Sequence, residues 1–290
     1  MSNSHSESTV KVVLSAVLGN GLITLAKFIG WFLTASPSLL AEAIHSGADT
    51  ANQVLLFIGI KHGEGKVSTK YPFGQGSARY LWNLISAVGI FFLGFGVTAY
   101  HGIHSLLTLD QNPYTPIHPV AIYILLFAMC IEGYVFLMAL KEVKSKKGKD
   151  SYYQYLQHSD DPTSLAVLLE DGIAVLGVIF ALVGIYISEV YQSAIPDSIA
   201  AIVIAFLLGF MAIALAYINS RLLIGRSISV SDERRIRRFL MRQAEVERVA
   251  QLKTLIVGAG KIRLTCELEF HGGFFIDREQ IKQDADRIKA

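Results

Sequence analysis

The chain has 290 residues, of which 52% are apolar and only 17% charged, with a formal net charge of +2 and a mean hydropathy of +0.44. That composition cannot cover a water-facing globular surface of this length, which excludes an ordinary soluble domain and makes a lipid bilayer the natural solvent. The small net charge, with its basic residues in connecting stretches and the tail rather than in one stripe, excludes a nucleic-acid binder.

Residues 1–9, MSNSHSEST, form a polar N-terminal tail. It has no basic n-region and leads into an apolar run too long for a signal-peptide core, so it is expected to be retained. Six apolar segments follow at approximately 10–34, 38–60, 80–107, 117–140, 162–189 and 194–219. Each can cross a hydrocarbon core of about 30 Å, which takes about 20 helical residues. The loop between the second and third spans holds Lys61, Lys66, Lys70 and Arg79. The loop after the fourth holds Lys141, Lys144, Lys146, Lys147 and Lys149, and the other three loops hold no Lys or Arg. By the positive-inside rule the N-terminus, both basic loops and the C-terminal tail face the cytoplasm, or the equivalent compartment of an organelle. The run KEVKSKKGK serves this topology, with anionic lipid binding as a further possible use. The loop YPFGQGSARY reads as a structural turn ending at the third span.

After Arg221 the pattern becomes that of a soluble domain. DERRIRRFLMRQAEVE reads as an amphipathic helix, VAQLKTLIVGAGKIRLTCELEFHG as two strands turning at Gly258-Ala259-Gly260, and DREQIKQDADRIKA as a helix. The expected fold is therefore an all-α membrane domain of six transmembrane helices (10–220) followed by a small α+β cytoplasmic domain, αββα and ferredoxin-like, at 221–290. So small a domain is expected to be supported by pairing with a second copy. The chain stops inside a charged helix, so a continuation beyond Ala290 is expected. Cys130 and Cys266 lack the paired spacing of a disulfide framework or structural zinc site.

Ionisable groups within spans are costly, by about 2.5–3.5 kcal/mol at a helix centre on insertion scales, so each asks for a role. The second span holds Glu42, His45 and Asp49. His45 and Asp49 are four residues apart and share a helix face, so two ligands can meet one metal. The fifth span holds Glu170 and Asp171. At 1.5 Å per residue, Asp49 lies about 15 Å from the outer surface and Asp171 about 14 Å from the cytoplasmic one, both near the midplane. One imidazole and two carboxylates suit Zn²⁺, whereas an oxygen-only cage suits Mg²⁺ or Ca²⁺. Glu170 points about 100° away from Asp171 and has three readings: fourth ligand, proton carrier, or partner for another helix. Glu42 reads equally as a gate charge near the outer mouth or as a ligand. Glu132 and Lys27 are expected to pair between helices or snorkel. Asn20, Asn52 and Asn83 read as interhelical hydrogen-bonding groups or as donors behind the ligands.

The segments SLLAEAIHSGADTANQ, YPFGQGSARYLW, SLAVLLEDGIAVLGV, PDSIAAIVIAFLLG and LLIGRS together resemble the cation diffusion facilitator family of divalent metal transporters. The second and third are most similar to the branch containing the mitochondrial zinc transporter and its bacterial relatives. The resemblance covers nearly the whole chain after the first ten residues. It implies six transmembrane helices, a cytoplasmic αββα tail, a homodimer and metal export driven by proton antiport. It also implies that His45 and Asp49 are the ligand pair of the second span and Asp171 a ligand of the fifth. Val167 stands where many members have a histidine, which leaves Glu170 or water to complete the site. Tyr71 and Gln75 stand at positions often occupied by histidines, so no accessory loop site is expected. His271 is the only tail histidine, so no multi-histidine tail cluster is expected either.

The function implied is a transporter, not an enzyme: an antiporter carrying Zn²⁺ out of the cytoplasm by alternating access, with metal and protons as substrates and no prosthetic group. Protons compete with metal for the same groups, because coordination needs neutral imidazole and ionised carboxylate. No GxxxxGKS/T motif for nucleotide hydrolysis and no HExxH motif for a metalloprotease is present. Export of Fe²⁺, Mn²⁺ or Co²⁺ by the same site is the alternative, since ligand type separates these ions poorly. A metal-sensing membrane scaffold is the other.

Overall fold

The computed structural model describes residues 3–63, 65, 68–109, 116, 118–147, 162–258, 261–272 and 278–289. Lys66, Lys149, and Ala259-Gly260 of the expected turn lie outside the described residues. Backbone contacts divide the chain into two units, Met1–Leu223 and Ile224–Ala290.

The first unit consists of long helices: α1 (Asn3–Thr34), α2 (Pro37–Gly63), α3 (Ala78–Leu107), α4 (Val120–Lys147), α5 (Pro162–Tyr191) and α6 (Ile195–Ile224). α1 begins at Asn3, so the polar N-terminal segment from there on is the helix's first two turns rather than a separate tail. Among the described residues five helices are long and apolar enough to cross a membrane, namely α1 and α3 to α6. α2 is also long enough, about 40 Å at 1.5 Å per residue. It is less apolar than the other five because Glu42, His45, Ser46, Asp49, Thr50, Asn52 and Gln53 interrupt its apolar run. These polar groups are tolerated because α2 packs against α1, α3 and α5. Its first half is buried from Ser38 through Ala43, with His45 and Ser46.

The packing is dense where small residues meet. A Cβ on Gly184 would lie 2.5 Å from the Ala200 Cβ, so α5 and α6 approach closely only because that position is bare. The core around them is built from Leu39, Leu125, Val178, Ile204, Leu208 and Met211. Outward, Phe32, Phe92, Phe127 and Phe210 are exposed, the inverse of a water-soluble surface and suited to lipid, where every backbone polar group must be paired within the helices. α3 is not uniform: Ile90–Val97 is π-helical between α-helical Ala78–Gly89 and Thr98–Leu107. Its Phe95 ring presses 3.2 Å from where a Cβ on Gly209 of α6 would stand.

Polar stitching fixes one end of the bundle. Asp197 in the first turn of α6 is 2% exposed. Its carboxylate accepts hydrogen bonds from Ser36 at 2.7 Å and from Ser38. Its amide donates to Ser188 Oγ of α5 at 3.0 Å. The α1–α2 turn is thereby tied to the α5–α6 turn.

The second unit has the order helix, strand, strand, helix: α7 (Val230–Leu240), β1 (Val246–Gly258), β2 (Lys261–Phe270) and α8 (Arg278–Lys289). The first helix was expected over 232–247 but is shifted. Ser229 caps it, accepting a hydrogen bond from the Asp232 amide at 3.0 Å, and Asp232 and Glu233 complement the helix dipole. It ends at Leu240, because Val246 and Val249 are drawn into the sheet, where they are buried. β1 and β2 pair antiparallel, with Arg248 opposite Glu269 and Leu252 opposite Cys266. Arg237 of α7 donates to the Val249 carbonyl at 3.2 Å, fixing that helix on the sheet. Gly225, directly after Ile224 at the end of α6, adopts φ +118, a conformation that favours glycine.

Candidate metal-transport site

One turn of α2 separates His45 from Asp49, and the side chains meet with Nε2 3.5 Å from Oδ2. His45 is 1% exposed. Neither of its ring nitrogens has a hydrogen-bond partner, and the same is true of Asp49 Oδ1 and Asp171 Oδ2. Buried polar atoms in this state are costly unless something else satisfies them. These are also the atom types that bind a transition metal.

Asp49 and Asp171 line one cavity of about 460 Å³, together with Asn20, Ser46, Gln53 and Glu132. That space exceeds the roughly 180 Å³ that six waters occupy in the liquid, so a hydrated dication fits. Glu170 is turned elsewhere. Its Oε1 accepts a hydrogen bond from Asn52 Nδ2 at 2.6 Å. It lines a second, smaller cavity of about 50 Å³ with Asn52, Arg79, Asn83, Val167 and Asn219. Sequence neighbours on α5 thus open to different cavities, as their 100° separation requires. Both remain within electrostatic reach of Asp49. Among the described residues no three His, Cys, Asp or Glu side chains are gathered closely enough to hold a metal in this conformation. Asp49 and Asp171 therefore border a shared cavity beside the buried His45, and the three do not form a closed shell.

Beside this cavity lies a buried ion cluster. Lys27 of α1 is fully buried and reaches Glu42 Oε2 at 2.8 Å, Ser46 Oγ at 2.8 Å and Glu132 Oε1 at 2.7 Å. Glu42 is fully buried as well, its carboxylate held by Lys27. Of the two expectations for Lys27 and Glu132, interhelical pairing and snorkelling, the structure shows pairing, and the partners are each other. The charges of Lys27 and Glu132 act on Asp49, so the cluster and the candidate ligands form one electrostatic unit.

The cation efflux transmembrane domain family matches residues 13–224. The chain belongs to the cation efflux family. This cation efflux protein is 36% identical over 288 residues to the mitochondrial proton-coupled zinc antiporter SLC30A9 of Homo sapiens, covering 96% of the chain and 49% of that relative. It is 34% identical over 274 residues to metal tolerance protein C4 of Arabidopsis thaliana, covering 94% of the chain and 59% of the relative. The manganese efflux system protein MneP of Bacillus subtilis is 24% identical over 209 residues, covering 72% and 66%. The chain spans about half the length of the zinc antiporter it matches.

Two features of this efflux protein escape inspection of the sequence. No local pattern signals the association of Ser46 and Glu42 with Lys27, although Glu42 and Ser46 share the four-residue spacing of His45 and Asp49. The Asp197 stitch is equally hidden, because an acid at a helix start reads by default as a dipole partner.

Proposed function

We propose that the protein is a proton-coupled antiporter that exports a divalent transition metal, Zn²⁺ first, from the cytoplasm. The observation that carries this is a set of buried candidate ligands whose ring nitrogens (His45) and carboxylate oxygens (Asp49 Oδ1, Asp171 Oδ2) have no hydrogen-bond partner, and two of these residues border a cavity large enough for a hydrated ion. The name of the human relative, a proton-coupled zinc antiporter, supports the same reading. His45, Asp49 and Asp171 are the cargo ligands. Glu170, held by Asn52, completes the shell when Asn52 releases it, and water fills the position otherwise. Protons arriving from the far side displace the metal from imidazole and carboxylates, since only the deprotonated forms coordinate.

The arrangement proposed around this site is a six-span membrane domain over 10–220, with α2 as the sixth span. An αββα, ferredoxin-like cytoplasmic domain over 221–290 follows, with both termini cytoplasmic in a homodimer. The K/R bias of the loops supports the orientation. A manganese reading draws on the resemblance to the manganese efflux protein and on the carboxylate-rich cavity wall.

The test is metal flux and internal pH in proteoliposomes, comparing Zn²⁺, Mn²⁺, Fe²⁺ and Co²⁺ with and without a proton gradient. Zinc flux with opposite proton flux, abolished by Asp49→Ala, is expected. Metal-dependent proton flux that survives Asp49→Ala would sink the proposed site, and binding without flux for every metal would sink the antiporter.

A further inference from the structure

The ammonium of Lys27 occupies a point on which three oxygens from two other helices converge. Glu42 Oε2 and Ser46 Oγ approach it from α2, each at 2.8 Å, and Glu132 Oε1 approaches from α4 at 2.7 Å. Lys27 and Glu42 are both fully buried. The donors number two carboxylates and one hydroxyl, with no nitrogen or sulfur. They lie only slightly beyond the roughly 2.3–2.6 Å at which oxygens bind Ca²⁺, so a small inward movement would suit a hard dication. One ammonium against two carboxylates leaves a deficit of one positive charge, and removing the ammonium would leave a deficit of two, which a single dication would fill. Glu132 has its second oxygen unpartnered and borders the cavity that Asp49 and Asp171 line, so an ion loaded in that cavity has a path to this point.

We infer that Lys27 is a tethered cation occupying a second metal position beside the cargo site, and that it determines specificity by denying this oxygen-lined position to hard dications. The role rests on His45, Asp49 and Asp171 being the cargo ligands. With Lys27 in place a passing ion finds only the imidazole-containing set, which favours transition metals over Mg²⁺ and Ca²⁺. A plain interhelical staple would make a different prediction: replacing the lysine would weaken the fold and create no new affinity.

The test is equilibrium binding of Mn²⁺ and Zn²⁺ to the full-length protein in lipid nanodiscs, with Mn²⁺ as the probe of the oxygen-lined position because it takes carboxylate and hydroxyl oxygens as Mg²⁺ and Ca²⁺ do. Lys27→Ala is expected to bind one more Mn²⁺ per protomer than the native protein. The gain should persist in Lys27→Ala/Asp49→Asn, and Mn²⁺ should raise the melting temperature of Lys27→Ala more than that of the native chain. Lys27→Arg, which keeps the charge, is expected to gain none. If the alanine variant does not fold, Lys27→Met keeps the bulk of the stem and is expected to show the same gain. Folding that requires added Mn²⁺ carries the same meaning. No additional Mn²⁺ in either background, or failure of both variants to fold with Mn²⁺ supplied, overturns the inference. Native zinc binding in Asp49→Asn alone would instead overturn the cargo assignment, which keeps the two failures distinct.

Discussion

Lys27 Nζ lies 2.7 Å from Glu132 Oε1, joining α1 to α4 across 105 positions of sequence. Breaking a buried ion pair by removing one partner costs about 3–5 kcal/mol, because the other charge is left uncompensated, whereas removing both costs far less. Glu132→Ala is expected near the lower end, since Glu42 still holds Lys27. Unfolding of Glu132→Ala, Lys27→Met and the double variant should give a strong coupling between the two sites; additive losses would mean that the pair contributes nothing of its own.

The hydrogen bond from Asn52 to Glu170, at 2.6 Å, keeps a carboxylate away from the candidate ligands. A net hydrogen bond is worth about 1 kcal/mol, so Asn52→Ala should tighten zinc binding roughly fivefold by freeing Glu170. Glu170→Gln in that background should erase the gain. Calorimetric titration decides: unchanged or weaker affinity in Asn52→Ala would exclude Glu170 as a ligand in waiting.

Loss of a true ligand is more severe. Changes to groups that merely orient a metal ligand cost about 10–100-fold in affinity. His45→Ala and Asp171→Asn are therefore each expected to lose at least that much zinc affinity, while Glu170→Gln alone loses little. Equal losses for Glu170→Gln and Asp171→Asn would contradict the division of the two residues between separate cavities.

Gly177 of α5 faces Glu42 so closely that an added methyl would overlap the carboxylate oxygen Oε1. Overpacking of this kind costs about 1–3 kcal/mol, and here it would also disturb the grip of Glu42 on Lys27. Gly177→Ala should lower the melting temperature clearly. Gly19→Ala, with nothing within 4 Å of the new methyl, should leave it unchanged or raise it slightly through better helix propensity.

In the second unit, Arg248 and Glu269 face each other across the strands, and the guanidinium nitrogens donate to both carboxylate oxygens. The hydrogen bond from Arg248 holds the Glu269 carboxyl below its ordinary value of 4.5. A carboxylate whose folded value is depressed stabilises the fold above its unfolded value, and that contribution is lost as pH falls through the folded one. Protection of the β1 and β2 amides from hydrogen exchange, corrected for intrinsic rates, should weaken below about pH 4.5. Glu269→Gln should remove that pH dependence, and an identical pH profile in the variant would argue against the pair. Because both side chains are exposed, the effect should be small.

The long apolar spans were legible because hydropathy and helix length suffice to read them, and the His45–Asp49 pairing because it lies within one helix turn. Longer-range facts were not. No local pattern tells which of Glu170 and Asp171 opens to which cavity, since that depends on how α5 is rotated against α2. Lys27 could be expected to pair, but its simultaneous contact with Glu42, Ser46 and Glu132 depends on three helices meeting at one point. The π-helical stretch Ile90–Val97 reads as ordinary apolar helix, and the end of α7 was placed too late because the pull of Val246 into the sheet is tertiary.

The stitch at Asp197 has a mechanical consequence. Ser36 and Ser38 hold the start of α2 to α6 and, through Ser188, to α5, which makes that end a fulcrum and the rest of α2 a lever arm. A tilt of about 10° about it would move His45, some 12 Å along the helix, by only about 2 Å, but the far end, about 40 Å away, by about 7 Å. A tilt of that kind would therefore disturb the ligands of α2 least and the packing of Gly59 against Arg79 and Trp82 most.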